Sequence, residues 1–146
     1  MKSRLELSIS QYSTGGRKEI NQDFHDICIP TEPQLTLKGV AIAIADGIGS
    51  SSVSQIASKT AVTSFLMDYL STPDAWSTKK SALRVLGATN SWLHSQTMQS
   101  NYSHDKNRGF VCTFSAMVLR SSSAYIFHAG DTRIYRFRDG VLEQLT

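Results

Sequence analysis

The sequence predicts an α+β domain in which strands come first, two adjacent helices follow and strands then return. The run Val40–Ala45 contains no polar side chain and is bounded by glycines, which is typical of a buried strand. Apolar residues recur at helical spacing after Ser52 and again after Thr78, and strand-like patterns return from Cys112 onward. Because the helices do not alternate with the strands, the order argues against an alternating parallel sheet.

The first third of the chain reads as a meander of strands. Residues Leu5–Ser13 alternate apolar and polar side chains and predict a half-buried strand. A second strand is predicted at Phe24–Ile29, where Pro30 and Pro33 close it. For Val40–Ala45 we expect a central strand that is buried on both faces.

The middle of the chain predicts two helices, and its last third predicts strands. One helix is predicted from about Ser52 to Leu70. The next is predicted to begin between Thr72 and Thr78, with Thr72 as a cap and Pro73 in the first turn. Later strands are predicted at Cys112–Leu119, Ala124–Ala129, Thr132–Phe137 and Val141–Thr146, with a hairpin turn at residues 138–140.

Composition places the chain among ordinary globular domains. Its 146 residues suit one domain with a real core, and 40% are hydrophobic and 18% charged. The net charge is +3 and the 15 basic residues are scattered, so nucleic-acid binding is not expected. No stretch suits a membrane span or a signal peptide, and we expect a cytoplasmic location. Cys28 and Cys112 lie in apolar stretches and read as buried thiols.

Two predicted strands end in an aspartate. Asp46 follows the apolar run and precedes Gly47 and Gly49, and Asp131 follows Gly130 after a second apolar strand. A carboxylate at a buried strand end needs a partner, and two together suggest a shared site for a hard cation such as Mg²⁺, Mn²⁺ or Ca²⁺. The alternative is that each aspartate only begins a turn, because Asp-Gly and Gly-Asp are common turn dipeptides.

Four ordered motifs carry a resemblance to a known family. They are Arg17–Asp23, Ala45–Gly49, Gly130–Tyr135 and the closing Gln144–Thr146. Their order and spacing, with the helix pair between the second and third, resemble metal-dependent protein serine/threonine phosphatases of the PPM or 2C type, as found in bacteria. The resemblance covers about Tyr12 to Thr146. It implies an αββα sandwich with a binuclear Mg²⁺ or Mn²⁺ site at one end.

The resemblance also implies roles for individual residues at the metal site. Asp46 resembles the carboxylate that bridges both metals, and the Gly47 carbonyl resembles a direct ligand. Asp23 resembles the acidic residue that holds a metal mostly through water. Asp131 resembles the ligand of an additional third metal.

The first motif departs from the family pattern in two ways. Its spacing is one residue longer than usual, so that either Arg17 or Lys18 resembles the basic residue that contacts substrate phosphate. Gln22 precedes Asp23 where glutamate is frequent, which removes one charge near the second metal. In the strand before the third motif, Thr113 matches a common hydroxyl position without a clear chemical role.

The later family motifs are expected beyond Thr146. Residues 1–146 therefore resemble the N-terminal part of a single phosphatase domain that is incomplete at its C-terminus. Such a fragment is expected to be inactive alone, and its exposed strand edges could allow a homo-oligomer.

The function implied is metal-dependent hydrolysis of phosphoserine and phosphothreonine in proteins. The substrate would be a phosphoprotein, a protein kinase is a possible fused or separate partner, and neither nucleic acid nor membrane is expected. One alternative is a phosphatase-like regulatory or binding module without catalysis. Another is a phosphate- or nucleotide-binding module at Gly47–Ser52, although no lysine follows there at phosphate-loop spacing.

Overall fold

The computed structural model describes residues 6–49 and 52–146 and orders them as strands, helices and strands. A short 3₁₀ turn at Lys106–Arg108 lies between α3 and β3. The elements in chain order are β1 Asp23–Cys28, α1 Gln34–Lys38, β2 Val40–Asp46, α2 Ser54–Ser71, α3 Thr78–Gln99, β3 Phe114–Arg120, β4 Ser123–Ala129, β5 Tyr135–Arg138 and β6 Val141–Gln144.

Four of the strands form one antiparallel sheet in the order β1-β2-β3-β4. Asp23 of β1 pairs with Asp46 of β2, and Ala43 pairs with Ala116 of β3. Strands that are adjacent in the sheet are also consecutive in the chain, with α2 and α3 inserted between β2 and β3. The predicted α+β order is confirmed.

The core lies between this sheet and the helix pair. Ala41, Ala43 and Ala45 of β2 are almost fully buried and join a cluster that includes Phe65 and other apolar residues of α2. In contrast, Ile44 of β2 is 39% exposed. The prediction that β2 is buried on both faces is wrong, because in the described part of the chain the helices cover only one face of the sheet.

The strand predicted at Leu5–Ser13 is not observed. Residue 5 lies outside the described residues, and residues 6–13 form no strand and are exposed. Leu7 and Ile9 remain 37% exposed. Alternation alone does not make a strand, because the backbone N–H and C=O groups need a neighbouring strand as partner, and no described segment pairs with this one.

α3 begins at Thr78, the last residue of the predicted range Thr72–Thr78. Its N-cap is Ser77, whose hydroxyl accepts a hydrogen bond from the Lys80 amide at 3.1 Å. Thr72 instead ends α2, donating its amide to Tyr69 O at 3.3 Å. The predicted Thr72-Pro73 cap is therefore wrong. The Thr72 hydroxyl also accepts from the buried Lys38 ammonium at 2.9 Å, so the C-terminus of α2 is tied to the end of α1.

The last two strands form an exposed hairpin. Asp139 and Gly140 have φ angles of 51° and 77°, as a two-residue turn matched to the strand twist requires. The hairpin turn is confirmed, although β5 begins at Tyr135 and not at Thr132. Both cysteines are free, as predicted, but they are partly buried and not fully buried as the sequence suggested. Among residues 6–49 and 52–146, no helix combines the length and apolar composition needed to cross a membrane.

Candidate active site

The first two strands bring two carboxylates together at one end of the sheet. Asp23 begins β1, Asp46 ends β2, and their antiparallel register places them opposite each other. The pKa of Asp46 is raised above its ordinary value by partial burial first, then by its interaction with the neighbouring Asp23 carboxyl, with a further contribution from Asp131. The ionised form is therefore disfavoured unless a cation is near.

A turn after β4 brings the third carboxylate to the same cavity. Asp131 and Thr132 line a cavity of about 320 Å³ together with Asp23 and Asp46. The turn can approach because Gly130 has a φ of +106°, and a Cβ there would lie 2.8 Å from the Thr113 side chain. Glycine is the residue that accepts both this conformation and this closeness.

The donor set suits a hard divalent cation in its chemistry. All three acidic groups offer oxygen, which Mg²⁺ and Mn²⁺ prefer. The pKa of Asp46 is raised mainly by burial and further by the nearby Asp23 and Asp131, so a bound cation would favour its ionised form. Within the described ranges, however, no three His, Cys, Asp or Glu side chains are close enough to hold one ion together. Asp23 and Asp46 are paired in the strand register, and Asp131 comes from the turn after β4.

The loop after β2 is pressed against the start of α2. Gly47 pairs with Cys112 as an isolated bridge, and its amide donates to Gln22 O at 3.0 Å. A Cβ on Gly47 would overlap the Ser54 carbonyl oxygen, so this position requires glycine. Of the anion-binding segment predicted at residues 47–52, residues 50 and 51 lie outside the described residues.

A basic side chain borders the same carboxylates. A second cavity, of about 480 Å³, is lined by Lys18 and shares Asp46 and Asp131 with the first. The charge of Lys18 lowers the pKa of Asp46, against the larger effects that raise it. Lys18 follows a turn in which its amide donates to Gly15 O at 3.0 Å. Of the two basic candidates, Lys18 lines the second cavity, and Arg17 lines neither of the two.

Gln22 has a role that its sequence position did not reveal. Its side-chain Nε2 donates to Gly49 O at 2.7 Å and also to the Ser54 hydroxyl. Its backbone carbonyl accepts from the Gly47 amide and from the Ser58 hydroxyl, the latter at 2.6 Å. The sequence suggested only a lost negative charge. The available signal was chemical, because an amide can donate to a carbonyl and a carboxylate cannot.

Replacing Gln22 with glutamate is expected to destabilise the protein by about 1–3 kcal/mol, because Gly49 O would lose its donor and face a negative charge. Urea denaturation of the metal-free protein measures this. Gln11→Glu is the matched control, since Gln11 is exposed and lies outside any helix or strand. Equal stability of the Gln22 variant and this control would contradict the role assigned to the amide.

Comparison with known proteins matches both the sequence and the fold. The family model for protein phosphatase 2C matches residues 11–146. The structure of the Mycobacterium tuberculosis serine/threonine phosphatase PstP/Ppp is 22% identical, with a TM-score of 0.67, over 88% of this chain and 48% of that chain. The PstP catalytic domain in complex with two manganese ions is likewise 22% identical, with a TM-score of 0.68, over 88% and 50%.

A bacterial serine phosphatase carrying a point mutation is also similar, at 19% identity and a TM-score of 0.72, over 92% of this chain and 57% of that chain. The chain thus spans about half the length of the solved phosphatases it matches. No match was found among the curated proteins. The structural matches confirm the predicted α+β fold of the metal-dependent phosphatase type, of which the described residues form one helix layer, one four-stranded sheet and the β5–β6 hairpin.

Proposed function

Since the chain belongs to the protein phosphatase 2C family, we propose that it takes part in hydrolysing phosphoserine and phosphothreonine in proteins, using Mg²⁺ or Mn²⁺. The observation that carries the proposal is the meeting of Asp23, Asp46 and Asp131 with Lys18 around two adjoining cavities. Acidic oxygens for cations beside a lysine for phosphate are the two requirements of metal-assisted phosphoryl transfer.

Each of these residues has a role within the proposal. Asp46, the Gly47 carbonyl and Asp23 would hold two cations, Asp23 mostly through water, and Asp131 would hold an additional one. Two such cations, when bound, lower the pKa of a shared water and stabilise the charge that develops in phosphoryl transfer. Lys18 attracts and orients the substrate phosphate as a point charge.

The cellular setting is part of the same proposal. The substrate is a phosphoprotein, and a protein kinase, fused or separate, is the enzyme class that would supply it. We propose a cytoplasmic location, and residues 1–146 as the N-terminal part of a single phosphatase domain. Self-association would then follow from sheet edges that further strands do not cover.

The test is phosphate release from a phosphothreonine peptide with Mn²⁺, and with EDTA as control. It is run on residues 1–146 and on the chain extended along its natural reading frame, because these residues span about half of the phosphatases they match. We expect Mn²⁺-dependent release by the extended form and little by residues 1–146 alone. Absence of metal-dependent release in both forms would reject the proposal and favour a non-catalytic binding module.

A further inference from the structure

Thr113, immediately before β3, connects the end of β2, which carries Asp46, to the turn that carries Asp131. Its amide donates to Asp46 O at 2.8 Å, and its hydroxyl oxygen accepts from the Asp46 amide at 3.0 Å. The same hydroxyl lies 2.6 Å from the hydroxyl of Thr132, which directly follows Asp131. One side chain therefore contacts the end of β2 and the turn after β4.

The setting of Thr113 leaves little freedom. The residue is 5% exposed, and its methyl and Cβ lie against the space that a side chain on Gly130 would need. A buried hydroxyl that has partners on two sides is held firmly, since losing either bond would leave a polar group unsatisfied. Thr113 thus links the backbone of Asp46 to the residue that follows Asp131.

We propose that the Thr113 hydroxyl is a positioning group that fixes Asp131 relative to Asp46 and thereby tunes the affinity of the site for its divalent cation. This inference rests on the proposed metal-dependent function. Thr113 itself holds no cation and touches no substrate. It acts through the Asp46 backbone and through Thr132, as residues that orient metal ligands commonly do.

The first test is Mn²⁺ titration calorimetry of Thr113→Val, which keeps the shape of the side chain and removes the hydroxyl. We expect Mn²⁺ affinity to fall about tenfold or more, in the range typical of residues that orient metal ligands. Thr113→Ser should restore affinity to within about threefold of the original protein. If Thr113→Val and the original protein bind Mn²⁺ equally, the proposal is wrong.

A matched control separates positioning from a loss of stability. Thr97 is 3% exposed, and its hydroxyl likewise accepts a hydrogen bond from a backbone amide, that of Phe110, at 2.9 Å. Thr97 lines neither of the two cavities that contain Asp46. Thr97→Val should lower the melting temperature of the metal-free protein to a similar degree while leaving Mn²⁺ affinity unchanged. An equal loss of affinity in both variants would show that Thr113 acts only through stability.

A metal-free readout distinguishes this inference from the proposed function. In Thr113→Val we expect faster hydrogen exchange at the Asp46 amide and shifted amide resonances for Asp131 and Thr132, measured by NMR in EDTA. If these changes occur but neither residues 1–146 nor the extended chain binds Mn²⁺, the proposed function fails, while the hydrogen-bonded link from Asp46 through Thr113 to Thr132 stands. If these changes are absent, the positioning role of the Thr113 hydroxyl is rejected.

Discussion

Replacing Asp46 with asparagine is expected to abolish Mn²⁺ binding, the largest effect we predict for any single substitution. Asp46 lines both cavities, as Asp131 does, and it is also paired with Asp23 in the strand register. Removing its charge leaves Asp23 without its carboxylate partner across the β1–β2 pair. Titration calorimetry should show no heat of Mn²⁺ binding and no Mn²⁺-induced rise in melting temperature. Binding equal to that of the original protein would sink the assignment.

When no metal is present, we expect the same Asp46→Asn variant to gain stability. Because the pKa of Asp46 is raised in the folded protein, ionisation opposes folding, and stability is lost as the pH rises from the ordinary pKa of an aspartate through the raised pKa of the folded state. Asp46→Asn should therefore be the more stable protein at neutral pH in EDTA. Asp68→Asn, on the exposed face of α2, is the matched control and should change neither measurement.

Replacing Lys18 with alanine is expected to raise the KM for a phosphopeptide about tenfold with a small change in kcat, the pattern of a lost binding contact. The reason is its place beside the carboxylates, where it is the basic candidate that lines the cavity. Arg17→Ala should have a much smaller effect on KM, and Lys79→Ala on α3 should have none. A larger effect from Arg17 than from Lys18 would reverse the choice between them.

Much of the fold could be predicted because periodicity reports directly on burial. The alanines of β2 and the helical spacing of α2 and α3 placed the central elements within a few residues. The failures have one cause. Residues 6–13 alternate like a strand but pair with no described segment, and Ile44 is apolar yet exposed. The pattern of apolar and polar residues shows which secondary structure a segment can adopt. Whether a strand finds a partner strand, and whether a sheet face is buried, depends on segments that are distant in sequence.

For the site, the sequence supplied the acidic residues but not the groups that hold them. Asp23, Asp46 and Asp131 stand in recognisable motifs, and the structure brings all three to one cavity. Gln22 and Thr113 act through hydrogen bonds to backbone atoms 27 and 67 residues away. No local pattern encodes such contacts. The choice between Lys18 and Arg17 similarly depended on the path of the turn before them.

The alanines of β2 have a consequence that reaches beyond packing. Small side chains at Ala41, Ala43 and Ala45 let α2 lie close to the sheet, and this closeness seats Ser54 against Gly47. The short distance between α2 and the sheet is thus what allows the loop at residues 47–49 to pack against the start of α2. Replacing Ala43 with valine would overpack the core, move α2 away from the sheet and loosen the loop at residues 47–49 without changing any acidic residue. The methyl side chains of these buried alanines thereby help to determine the conformation of the loop that follows Asp46.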